Sequence, residues 1–300
     1  MTDIPGAQSG GQSAPQLRPL GVGDILSASF TLIRQNPPAT IGLTAIGTAA
    51  GAVAAIVLVL ATRNSAAGAA VSNLAGFVLD TAIIVVAGAV IAALGEGLLG
   101  RRITVREAFR RARIGWVLLT WLVYAVIVVV IWVIPLILLS GLGVLLGLPL
   151  WVWLGIMLCL IFPVVVLERR NPFAAIGRSW RLVLGSFWRF FAISLLMSIV
   201  TFALFAIATL FVTLVTGVGL TLLREHGRLH GSFGLVWLVT FIVFALVLVS
   251  LVAPMWLALS CLLYADVRMR REGMDLMLRL PPWQGGPAGD EFAATAPGIR

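Results

Sequence analysis

Three places in this 300-residue chain set ionisable side chains where they could do chemistry. The first is "YADVRMRREGMDL", residues 264 to 276, in which acids and arginines alternate on one helix at the end of the last long apolar run. A catalytic cluster, a partner-binding surface and the polar stop of a membrane helix would all use such residues. The spacing favours the polar stop. Asp266 with Arg270, Arg268 with Glu272, and Arg271 with Asp275 are all i, i+4 pairs, each contributing about 0.3 to 0.5 kcal/mol when exposed. Gly273 is placed to take the left-handed C-cap conformation, with Met274 folding back on Met269. The second place is Asp80, half way along the apolar run "GFVLDTAIIVV", where an ionised carboxylate costs about 2.5 to 3.5 kcal/mol on insertion scales. It reads first as a protonated or hydrogen-bonded carboxyl packed on a neighbour, or one nearer the outer surface; a proton or cation site of a transporter is the alternative. The third is Glu225, His226 and His230. The histidines have helical zinc spacing, but Gly227 separates them and no third ligand follows, whereas a structural site wants four. They read as solvated loop residues, and no metal or other cofactor is expected.

The elements that carry these residues follow from composition. Sixty percent of the residues are hydrophobic, 11% are charged and the mean hydropathy is +1.07, which excludes an ordinary soluble domain. Apolar stretches near 39–62, 69–94, 115–139, 142–167, 190–217 and 233–264 each reach the ~20 residues needed to cross ~30 Å of hydrocarbon. The expectation is an all-α, polytopic bundle of six transmembrane helices. No charge interrupts Trp116 to Leu167, so this stretch must fold back, with the turn expected around Gly141, Gly143, Gly147 and Pro149. Residues 1–17 and 281–300 are rich in Gly, Pro, Ser, Gln and Ala and read as disordered tails around a membrane domain of residues 18–280.

All basic residues are arginine, a composition expected of a high-GC bacterium. Eighteen of the 21 fall before the first span, between the second and third, between the fourth and fifth, and after the sixth; only Arg63, Arg224 and Arg228 fall in the opposite loops. The positive-inside rule then puts both termini in the cytoplasm of a plasma-membrane protein. The net charge of +9 reads as a membrane surface facing anionic lipid head groups, and no motif points to nucleic acid.

The inner segments have helical periodicity. In "TVREAFRRARIGW", Thr104 and Glu107 have capping-box spacing; Val105, Ala108, Phe109, Ala112 and Trp116 share one face, and Arg106, Arg110 and Arg113 the other. In "NPFAAIGRSWRLVLGSFWRFF", Asn171 is a cap and Pro172 the first helical position. Phe173, Ile176, Trp180 and Leu184 form the expected buried face, with Arg178 and Arg181 towards head groups. In "GDILSASFTLIRQNPP", Asp24 is the cap, Leu26, Phe30 and Ile33 share a side, and Pro37 and Pro38 end the helix. The result is three amphipathic interfacial helices on the cytoplasmic side, each ahead of a pair of spans. The three align on Ser29 and Phe30, Ala108 and Phe109, and Ser179 and Trp180, an expected threefold repeat.

Within the spans, Gly47 and Gly51 have the spacing that lets helix backbones approach. Pro135, Pro163 and Pro254 are tolerated kinks, Cys159 and Cys261 are small packing residues, and Trp151, Trp153, Trp180 and Trp188 are interface anchors. No nucleotide loop, nucleophile elbow or His-Glu-x-x-His motif occurs.

The segments "LRPLGVGDIL", "GRRITVREAFRRAR", "LERRNPFAAIGRSWRLVLGSFWR" and "LLYADVRMRREGMDL" together resemble a bacterial family, the glycerophosphoryl diester phosphodiesterase membrane-domain-like proteins, over roughly residues 17 to 280. The most specific element is Tyr264, Asp266, Arg268, Arg271, Glu272, Gly273 and Asp275. The family is named for members fused to a soluble phosphodiesterase barrel. About 20 residues follow position 280, against the ~250 of a TIM barrel, so no enzyme activity is carried over. The expected function is non-catalytic: organising lipid, membrane-protein partners or a second copy of the chain through Arg106, Arg110, Arg113, Arg178 and Arg181. A transporter component with a site near Asp80 is the alternative, and an enzyme acting on lipid head groups a weaker one.

Overall fold

A long apolar run in hydrocarbon must satisfy its own backbone, and a helix does so within one segment. The computed structural model describes residues 21–62, 68–139, 141–225 and 233–273, and every element among them is helical. A short helix, α1 (Val22–Gln35), is followed after a 3-10 turn by α2 (Ile41–Thr62) and α3 (Gly68–Leu98). A second, α4 (Val105–Arg111), leads to α5 (Ile114–Leu139), α6 (Gly141–Met157) and α7 (Ile161–Leu167). A third, α8 (Pro172–Leu184), leads to α9 (Phe187–Glu225) and α10 (Phe233–Glu272). Six stretches are long and apolar enough to cross a membrane: within α2 with its preceding turn, α3, α5, the α6–α7 pair, α9 and α10. The helix of the sixth span runs on to Glu272, beyond the expected limit of 264.

The fold-back comes early in the glycine-rich segment. Helix α5 ends at Leu139 and α6 opens at Gly141, so Gly143, Gly147 and Pro149 lie inside α6. The fourth span is instead broken later, at residues 158–160. Pro163 explains the position, because its ring cannot sit against the carbonyl of a regular helix four residues back, at Cys159. The Ser179 hydroxyl of α8 donates to the Met157 carbonyl at 2.7 Å, so a neighbouring helix supplies the polar group that the break needs.

The same device recurs at Pro254 in α10. It frees the Ser250 carbonyl, which accepts from Thr44 Oγ1 of α2 at 2.9 Å, and Thr48 Oγ1 lies 3.0 Å from Ser250 Oγ. Beside it, α2 and α3 approach closely. A Cβ on Gly47 would meet Val86 at 2.4 Å and one on Gly51 would meet Ala82 at 2.8 Å. These glycines pack helices, as their spacing predicts.

The short helices keep part of their expected inward faces, with Ile33, Ala108 and Ala112 buried and Leu26, Phe109, Ile176 and Trp180 packed on the core, but each face is rotated at its bulkier ends. On α8 the buried residues are Pro172, Ala175, Arg178, Ser179, Leu182 and Val183, while Phe173 and Leu184 are exposed. On α1, Ile25, Ser29, Leu32 and Ile33 are buried and Phe30 is exposed. Asp24 is not the cap: it stands at the third helical position, and its carboxylate accepts from the Gly21 N–H at 3.1 Å. On α4, Ala108 and Ala112 are buried but Val105 is exposed, and Trp116 belongs to α5. Small residues recur at these contacts beside Ile25, Leu32, Ile33, Leu182 and Val183, and they let the helix backbones approach closely. Ser29, Ala108 and Ser179, the residues aligned in the three short helices, are all fully buried.

Candidate functional site

Two charged residues of α10 lie among its most enclosed, while Arg270 and Arg271 remain exposed. Asp266 and Arg268 are both 0% exposed, although their spacing reads as a solvated helix end. Two of the expected pairs form: Arg270 Nε donates to Asp266 at 3.1 Å, and Arg268 Nε donates to Glu272 Oε2 at 2.9 Å. The third lies outside the described residues, as do Met274 and Asp275. Arg271 instead donates to the Arg181 carbonyl at 2.9 Å. The Arg271 guanidinium lies directly over Gly185, so a side chain there would have to push it aside. The burial arises because α1, α7 and α9 pack against α10, which the charge pattern of one helix cannot reveal.

These charges close a ring. Tyr264 Oη donates to Glu168 Oε1 at 2.9 Å, and Arg268 Nη1 donates to Tyr264 Oη at 2.9 Å. Arg268 reaches Glu272, whose Oε1 is 2.5 Å from Arg178 Nη2, and Arg178 Nε donates back to Glu168 at 3.1 Å. Arg170 Nε also donates to Glu168, at 2.9 Å, and Arg189 Nη2 pairs with Asp266 at 3.0 Å. The cluster ties the end of α7 to α8, α9 and α10. Breaking one such buried pair costs about 3 to 5 kcal/mol, because the surviving charge is stranded.

Arg178 therefore lies within the bundle, 6% exposed, and is not turned towards head groups as its helical face suggests. Arg113 is also engaged. It donates to the Arg169 carbonyl, and its guanidinium lies 5.5 Å from the centre of the Trp116 ring. Burial, then the charge of Arg169, lowers the Arg113 pKa from its usual value. Arg106, Arg110 and Arg181 are exposed. Asp80 is exposed on the outer side of α3 and has no hydrogen bond or ion pair among the described residues.

A second cluster joins α3 to α4. Arg111 donates to Glu96 through one guanidinium nitrogen and to Glu107 through another, the latter at 2.5 Å, while Arg101 lies 3.9 Å from Glu96. Thr104 caps α4 by accepting from the Glu107 N–H at 3.3 Å, as expected, but the Glu107 side chain goes to Arg111. Asn36 Nδ2 donates to the Ile103 carbonyl at 2.8 Å, which draws the end of α1 to the same place. Two arginines here have left-handed backbones, Arg113 at φ 50° and Arg169 at φ 55°. Such backbones cost on the order of 1 to 3 kcal/mol for a side-chain-bearing residue.

Glu168, Tyr264, Glu96 and Arg111 were not candidates on sequence grounds. Scarcity was the available signal: Glu168 is the single acidic residue between Glu107 and Glu225, and Glu96 the single one between Asp80 and Glu107. A lone acid among many arginines at a helix end is bound to be shared.

Among the described residues no group of three or more His, Cys, Asp or Glu could hold a metal ion. His226 and His230 lie outside them. Cys159 and Cys261 are free thiols, Cys261 buried in the core and Cys159 packed against it. Comparison of the chain with protein-family models, with curated proteins and with solved structures gives no match.

Proposed function

We propose that the chain is a non-catalytic, multi-pass protein of the bacterial cytoplasmic membrane, with both termini inside, that organises anionic lipid and through it membrane-protein partners or further copies of itself. The observation that carries this reading is the pairing of exposed arginines with exposed apolar side chains on and beside the short helices. Arg106 and Arg110 project from α4 and Arg181 from α8, while Phe30, Phe173 and Leu184 stand outward on α1 and α8, with Trp188 at 77% exposure on α9. In this reading the short helices lie at the interface, with aromatic and aliphatic groups among acyl chains and guanidinium groups among phosphates.

Each basic residue near an anionic surface contributes about 1 kcal/mol. The test is the lipid selectivity of the full chain reconstituted in mixed phosphatidylcholine and phosphatidylglycerol, read from spin-labelled lipids. The wild type is expected to prefer phosphatidylglycerol, and Arg106→Gln, Arg110→Gln and Arg181→Gln together to bring that preference close to one. An unchanged preference would remove the lipid reading. Asp80 supports no second reading: it faces outward with no polar partner among the described residues, and neither described cavity includes it.

A further inference from the structure

Each of the three units, α1–α3, α4–α7 and α8–α10, is a short helix followed by a long pair, and the units pack as a ring. The short helix of one unit lies against the last helix of the unit before it: α4 on α3, α8 on α7 and α1 on α10, which closes the circle. In the same order, α5 meets α3, α9 meets α6 and α2 meets α10. Repeated units make a departure informative. Two of the three seams are fastened. Thr44 and Thr48 of α2 reach Ser250 of α10, and a Cβ on Gly88 of α3 would stand 3.0 Å from Val117 of α5. The seam between α6 and α9 has the slightest contact of the three among the described residues, and only 17% of the span within α9 is buried.

The unit beside this loose seam also carries a joint. Helices α3 and α10 run unbroken, α10 even past Pro254, whereas the α6–α7 pair is broken at residues 158–160. The joint keeps its own backbone bonds: the Cys159 N–H donates to the Ile156 carbonyl at 3.3 Å, and the Ile161 N–H donates to the Leu158 carbonyl at 3.0 Å. These are the i, i+3 bonds of a tight turn, which bends without stranding a polar group in hydrocarbon, and such a stretch within a helix often marks a hinge. The two sides of the joint differ. Helix α7 is buried and anchored through Glu168. Helix α6 is held at its near end, where Ser179 of α8 donates to the Met157 carbonyl and the Trp180 ring stands edge-on to Trp153 at 5.1 Å. Beyond that hold, Leu148, Leu150 and Val152 of α6 are exposed.

We infer that the seam between α6 and α9 is a lateral gate: α6 swings about residues 158–160 and admits an acyl chain of a membrane lipid. The large side chains exposed on the two helices, Leu148, Leu150 and Val152 on α6 and Leu195, Ile199 and Phe202 on α9, are apolar, which suits a chain and not a head group. The inference rests on the membrane setting of the proposed function, but not on its arginines. The test uses the full chain carrying Cys159→Ala and Cys261→Ala, with one pair of spin labels at a time. Val152→Cys with Ile199→Cys spans the gate, and Ile46→Cys with Val247→Cys spans the fastened seam of α2 and α10; all four positions are exposed. Distances are measured by pulsed dipolar spectroscopy in lipid-free amphipol, then after adding dioleoyl phosphatidylcholine or dioleoyl phosphatidylglycerol. Across the gate two distances are expected, the longer rising about threefold in population with either lipid. Across the fastened seam one distance is expected, unchanged by lipid. Pro163→Ala removes the cause of the break and is expected to leave the shorter gate distance alone. Ser179→Ala frees the joint and is expected to raise the longer population without lipid. A single gate distance under all conditions, an equal change across the fastened seam, or a response to phosphatidylglycerol alone overturns the inference. So does a longer population that Pro163→Ala leaves unchanged or, where that variant does not fold, one that Ser179→Ala leaves unchanged. The lipid-organising reading is judged separately, by the lipid preference of the variant at Arg106, Arg110 and Arg181, none of which enters these distances.

Discussion

Glu168 receives hydrogen bonds from Arg170, Arg178 and Tyr264, so one carboxylate holds side chains from two helices and a linker. Replacing it with glutamine removes the charge and leaves Arg178 and Arg170 opposite a neutral group. Glu168→Gln is expected to lower stability by about 3 kcal/mol, measured by thermal unfolding in detergent. Tyr264→Phe removes two hydrogen bonds from the ring and is expected to cost about 1 to 3 kcal/mol. Little of this was legible beforehand. The pairing of Arg268 with Glu272 and of Asp266 with Arg270 follows from spacing, and the left-handed Gly273 follows from its place at a helix end. Their burial does not, because it depends on other helices distant in the chain, as the 96-residue separation of Tyr264 and Glu168 illustrates.

At the scale of helices, the two prolines with buried hydroxyl partners make a specific expectation. Ser179→Ala strands the Met157 carbonyl at the break between α6 and α7, and Thr44→Val strands the Ser250 carbonyl beside Pro254. Each is expected to cost about 1 kcal/mol, within the range measured for hydrogen bonds between membrane helices. A larger loss is expected for Gly47→Leu, about 1 to 3 kcal/mol, because the added side chain must displace Val86 on α3. The six long apolar stretches were readable from hydropathy and the three short helices between them from periodicity, but the break that separates α6 from α7 was not. The inward faces of α1 and α8 were not, because the usual rule assigns the bulky apolar side chains to the core. That rule depends on water outside. In the proposed membrane setting, with hydrocarbon outside, Phe173 and Leu184 can face outward while Ala175 and Ser179 make the contact. Sorting by size would have placed Arg178 correctly, on the side of Ala175, Ser179 and Leu182.

Among the described residues, both buried polar clusters, the three short helices ahead of the long pairs and the exposed arginines gather at one end of the bundle. The chain connectivity requires this: each long pair leaves from that end and returns to it. The cytoplasmic assignment of the end underlies the lipid reading, and it rests on the distribution of arginines. The most direct measurement is thiol labelling from each side of the membrane, in a chain carrying Cys159→Ala and Cys261→Ala with a single new thiol, Arg110→Cys in one version and Arg63→Cys in another. A membrane-impermeant reagent is expected to reach position 110 only in inverted vesicles and position 63 only in intact cells stripped of the outer barrier. Labelling of position 110 from outside would contradict the account.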